Sequence, residues 1–267
     1  MITRLAGASF RAALVAAAMV IPSLMLPDVS NNSAELVILS AAIAAAFVIL
    51  EYGFKSPSLV EFRFAAPYNR FRFGILVGLL GALTIVFRHP IHITGSSIVV
   101  SDAAAMAFQL WDFPGSPIGS FLMLAGNLDP EGQVLVATAA AVALSVTFFA
   151  LVVFAFVMLA FSWPLTKDTF NLWINMPTFD QLLGDETQRN LRQSALVSLV
   201  VGLTLPYLAP QAALAFMGPL EPVTTGNSLF LIWMISIWCF VPAVSVLRAV
   251  ALYKVAHLLA RDEVPQG

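Results

Sequence analysis

Apolar residues in this chain run in long unbroken stretches instead of alternating with polar ones, and short polar gaps separate the stretches. Six such stretches lie at residues 10–27, 36–50, 73–87, 133–162, 194–217 and 228–247. They are measured against the roughly 20 apolar residues that a bilayer core requires. The second and third are short, so Tyr52 and Phe71 are expected to complete them at the interface. In hydrocarbon every backbone N–H needs a partner within the protein, which leaves helices or a closed barrel, and continuous runs favour helices. The pattern predicts an all-α polytopic membrane helix bundle of about six transmembrane helices, with interfacial helices in the loops and residues 1–267 forming a single transmembrane domain.

Composition agrees with that reading. Hydrophobic residues make up 60% of the chain and charged residues 10%, and the mean hydropathy is +0.89, whereas a soluble domain carries about a quarter charged residues. The single cysteine, Cys239, excludes an intrachain disulfide. A net charge of −2 points to no nucleic-acid partner. Arg4 and Arg11 ahead of the run from Ala12 to Leu26 resemble a signal peptide. Leu24 and Leu26 stand where cleavage needs small residues, so the first span is expected to remain as an anchor.

Charge then orients the chain. Of thirteen Lys and Arg residues, all but Arg88 fall at alternate gaps: Arg4 and Arg11; Lys55, Arg63, Arg70 and Arg72; Lys167, Arg189 and Arg192; Arg248, Lys254 and Arg261. The other gaps hold Asp28, Glu35, Asp102, Asp112, Asp129, Glu131 and Glu221. Loops rich in Lys and Arg stay cytoplasmic, so both termini are expected in the cytoplasm of a bacterial-type inner membrane.

Three stretches are not simple spans. Glu51 to Phe73 interleaves aromatics with cations, which suits an interfacial belt on anionic lipid or a docking surface, with Arg63, Arg70 and Arg72 as its candidate contacts. Pro57 and Pro67 break any long helix there. Between Arg88 and Gly132, Ser101 or Asp102 is placed to cap a short helix through Trp111, ended by Pro114, Gly115 and Pro117. The eight residues Ile118 to Ala125 are too few to cross, so they are interfacial, re-entrant or packed on neighbouring helices. Trp163 to Gln193 carries Trp173 and other aromatics and reads as an amphipathic surface helix or a partner contact.

Candidate chemistry is sparse. Apart from Arg11 at the start of the first, the spans contain no Asp, Glu, Lys, Arg or His, the groups that mark proton and ion paths, which argues against a pump. Polar groups cluster in the fifth span, where Pro206 and Pro210 remove two backbone donors. The freed carbonyls beside Thr204, Tyr207 and Gln211 form a candidate ligand site. His89 and His92 make an H-x-x-H that Pro90 keeps from being helical, so solvated loop histidines are expected and no metal. Motifs for serine hydrolases, zinc proteases and phosphate-cradling loops are absent, and no cofactor or catalytic residue is assigned. Gly74, Gly78 and Gly81 suggest a close helix contact on the third span.

Together these features point to a non-catalytic subunit, assembly factor or scaffold of an inner-membrane complex, with the lipid bilayer and other membrane subunits as partners. A permease for a neutral or lipophilic solute is the alternative, and a membrane enzyme a more distant one. Reporter fusions after Asn32, Asn127 and Asn227 should report periplasm, and fusions after Ser58, Asp185 and Gly267 cytoplasm. One firmly reversed loop would sink this topology.

Overall fold

The computed structural model describes residues 2–27, 29–53, 62, 66–90, 95–160, 185–219 and 227–262. These form eight helices: α1 (Ile2–Met25), α2 (Asn31–Gly53), α3 (Ala66–Arg88), α4 (Gly95–Trp111), α5 (Pro117–Leu124), α6 (Pro130–Ala160), α7 (Asp185–Met217) and α8 (Ser228–Asp262). All but α4 and α5 are long and apolar enough to cross a membrane, so the chain is a multi-pass helix bundle with six candidate spans. The helices outrun the apolar stretches because their polar first and last turns stay helical. Tyr52 and Phe71 complete the short second and third spans as expected.

Three of the long helices start with side-chain caps. Ser30 Oγ accepts from Ser33 N–H ahead of α2, Asp129 Oδ1 from Gly132 N–H ahead of α6, and Asn227 Oδ1 from Phe230 N–H ahead of α8. Each satisfies one donor that the first helical turn leaves unpaired. Pro130 and Pro67 sit in the first turns of α6 and α3, where a missing N–H costs nothing.

Helix α6 is the hub. Val136, Ala137 and the run from Ala139 to Leu144 are all buried, because α3, α4, α5 and α8 surround that half. A helix apolar all round belongs in such a centre. Its other half divides: Phe154 is buried, while Phe148, Phe149 and Phe156 face outward. Phe154 packs edge-on against Phe71 at 5.2 Å and Tyr68 at 6.3 Å, fixing the start of α3 to the end of α6.

Helices α4 and α5 pack on different neighbours: α4 on α6 and α3, α5 on α7 and α6. Trp111 Nε1, at the end of α4, donates to Ser145 Oγ at 2.9 Å. Ser145 is at the middle of α6, and the adjacent Val146 faces Gly78 at the middle of α3. Phe121 of α5 stacks on Trp238 at 4.5 Å, ten residues or about 15 Å along α8. The turn at 112–116, with Gly115 at φ +84°, therefore lies beside the middle of α6. Pro117, Ile118, Phe121 and Leu124 are buried, so the eight-residue segment packs on neighbouring helices and is no surface cap.

One expectation is corrected here. Ser101 and Asp102 lie inside α4 and do not cap it, since the helix starts six residues earlier, at Gly95. β-Branched Ile98, Val99 and Val100 are tolerated there, because intrahelical hydrogen bonds outweigh a modest propensity penalty in an apolar setting. Asp112, Phe113, Pro114 and Gly115 are exposed in the turn between α4 and α5.

Helices α7 and α8 form an antiparallel pair tied at three levels. Gln188 Nε2 donates to the Ala256 carbonyl at 3.4 Å, Arg248 Nη1 to Ser198 Oγ, and Trp238 Nε1 to the Pro206 carbonyl at 2.8 Å. Close approach depends on Gly202. A Cβ there would lie 2.6 Å from Val246 Cγ2 and 3.0 Å from the Pro242 carbonyl oxygen. On α3 only Gly78 comes near a neighbour, 3.2 Å from Val146 Cγ1, while Gly74 and Gly81 face open space. The tightest described helix contact thus rests on a single glycine of α7 and not on the glycine series of α3.

Gly202→Ala should lower stability in detergent by about 1–3 kcal/mol, since backbone atoms on α8 must yield. Gly81→Ala should be neutral or stabilising by up to about 1 kcal/mol, through helix propensity alone. Equal thermal midpoints for the two variants would refute the contact.

Candidate functional site

Among the described residues, a partly open cavity of about 470 Å³ lies between α1, α2, α3 and α8. Its polar wall comes from Arg11, Glu51, Tyr52, Asn69, Arg70 and Arg72, and its apolar wall includes Leu14, Phe47, Leu76 and Phe240. Both helix ends at this wall are built by local chemistry. The Arg11 guanidinium lies 5.1 Å from the centre of the Tyr52 ring, and its Nη1 donates to the Gly7 carbonyl at 3.1 Å. The Arg72 guanidinium lies 5.6 Å from the Tyr68 ring centre. Such contacts orient a guanidinium plane on an aromatic face.

Asn69 Nδ2 donates to the Phe62 carbonyl at 2.7 Å. Phe62 itself has φ +57° and is fully buried, stacked on Tyr68 at 4.9 Å. A large side chain in the left-handed region persists only where its surroundings fix it. The described residues of the aromatic–cationic segment divide between core and surface. Phe62 and Tyr68 enter the core, whereas Arg70 is exposed and Arg72 half-buried at the cavity. Arg63 and Trp173 lie outside the described residues.

The proline site on α7 has a different character. The helix continues through Pro206 and Pro210. Pro210 has no N–H for the carbonyl four residues earlier, which is that of Pro206. Trp238 Nε1 donates to that carbonyl from α8, so the donor lost to proline is replaced by an indole. Thr204 Oγ1 donates to the Val200 carbonyl at 2.9 Å within its own helix. Thr204, Tyr207 and Gln211 are exposed on the outer side of α7, and none of them lines the cavity. The structure brings Arg70 and Arg72 together with Arg11, Glu51 and Tyr52, and leaves the α7 group apart.

Sequence reasoning passed over Arg11 as a topology marker, and Glu51 and Asn69 as flanking residues. The interleaved cations and rings of Glu51 to Phe73 were the available signal, but the contribution of α1 is a tertiary fact. Among the described residues no cluster of three or more metal-ligating side chains occurs; His89 is half-buried, and His92 is outside the described residues. On α8, Trp233 Nε1 and Ser236 Oγ are buried without a hydrogen-bond partner. Comparison with family models, with curated proteins and with solved structures found no match to this chain.

Trp238→Phe should cost about 1–2 kcal/mol, because it leaves the Pro206 carbonyl without a donor. Adding Pro210→Ala should recover much of that loss by restoring an intrahelical N–H. Thermal unfolding of the single and double variants decides it: absence of rescue would mean that the indole acts by packing alone.

Proposed function

We propose that this protein is a non-catalytic subunit or scaffold of an inner-membrane complex, with both termini cytoplasmic. The observation that supports this reading best is the isolation of α2. It packs chiefly on α1, and only Val37 and Ala41 of its residues are buried. Its outer side carries Leu39, Ala42, Ala46 and Leu50, all exposed and spaced to share one face. Lipid alone requires no small residues at such positions. Ala42 and Ala46, four residues apart, allow a second helix to approach closely.

Photo-crosslinkers at Ala42 and Ala46 should join one defined membrane protein in native membranes, while a crosslinker at Leu203 on the outer side of α7 should not. Ala42→Phe should abolish the adduct formed from position 46 without lowering the thermal midpoint. Lipid adducts alone at all three positions would defeat the scaffold reading.

A permease reading needs an open ligand site at the α7 prolines. The occupation of the Pro206 carbonyl by Trp238 favours a structural role for the α7 prolines and so weighs towards the scaffold.

A further inference from the structure

The cavity between α1, α2, α3 and α8 combines features that suit one class of ligand. Among the described lining residues, Arg11, Arg70 and Arg72 face one carboxylate, Glu51, so three positive charges against one negative leave a surplus of two. Below them the wall becomes apolar, with Leu14, Phe47, Leu76 and Phe240. Leu14 and Phe47 are exposed at 40% and 47%, so the apolar part opens towards the surroundings of the spans and is not sealed inside the bundle.

Position along the span completes the match. Arg70 and Arg72 lie in the first turns of α3, at the start of a candidate span, and Phe71 between them packs on Phe154 of α6. At the end of a span, arginine side chains reach towards phosphate groups while their stems stay in apolar surroundings. Guanidinium forks match phosphate oxygens in geometry, and the Tyr52 and Tyr68 rings hold two of the three forks in place.

We propose that this cavity binds an anionic membrane phospholipid, its phosphate at Arg11, Arg70 and Arg72 and one acyl chain against Leu14, Phe47, Leu76 and Phe240. The lipid wedges the α1–α2 hairpin onto α3 and α8. An apolar solute would leave the cations uncompensated, and a free anion would leave the apolar wall unused.

The test uses the full chain purified in mild detergent, with native mass spectrometry and thermal unfolding in nanodiscs of phosphatidylglycerol or phosphatidylcholine. Wild type should retain one anionic phospholipid per chain and melt higher in phosphatidylglycerol. Arg72→Gln should weaken retention about fivefold, and the Arg11→Gln, Arg70→Gln, Arg72→Gln triple variant on the order of a hundredfold. Arg189→Gln with Arg192→Gln, away from the cavity, should change neither result. If the triple variant does not fold, the single variant still decides the question. Equal retention by wild type and Arg72→Gln would overturn the proposal, as would equal melting in the two lipids. Protection by millimolar inorganic phosphate equal to that by phosphatidylglycerol would assign the site to a free anion and likewise overturn it.

Discussion

Hydrocarbon supplies no hydrogen bonds, and that constraint governs this bundle. Each spanning helix must satisfy its own backbone, and any group it cannot satisfy needs a neighbour. Two prolines on α7 create such a deficit at the centre of a span. Trp238 meets it at the Pro206 carbonyl, and the same indole stacks on Phe121 of α5. This side chain thus adds to the direct packing of α5 on α7. The lost donor does not loosen α7; it makes α7 depend on α8.

Around that link the helices divide by attachment. Helices α3, α6 and α8 share the buried core, with α4 packed on α6 and α5 mainly on α7. The α1–α2 hairpin sits at the edge, joined through α1 to α3 and, to a smaller extent, α8. The arginine-lined cavity follows that seam. A seam with surplus positive charge and an apolar lining is a weak point in an empty protein and a reinforced one when filled, which couples the seating of the peripheral hairpin to the lipid around it.

Much of the fold was legible in the linear pattern because membrane spans are set by length and apolarity, which are local properties. The six helices follow from that. What escaped were features decided between segments. Nothing local distinguishes Gly202 from Gly81, yet one faces a backbone at contact distance and the other faces space. Ser101 looked like a cap because caps are read by residue type, while helix α4 had already begun. Arg11 carried a topological signal strong enough to hide its place beside Tyr52, since the charge rule counts cations without asking what they touch. The α7 prolines were read correctly as a loss of donors, but the donor that answers lies 32 residues away in sequence.

The α4–α5 segment bears on the proposed orientation of the whole second half of the chain. At 17 residues, α4 is at the lower limit of a full crossing. A full crossing there would give seven spans, and α6, α7 and α8 would each run the other way through the bilayer. The turn at Pro114 and Gly115 follows Trp111, which is anchored on Ser145 beside the middle of α6. On the proposed topology the chain turns back there, and parity is unchanged. A feature too short to count as a span would then decide which side of the membrane receives every residue that follows it.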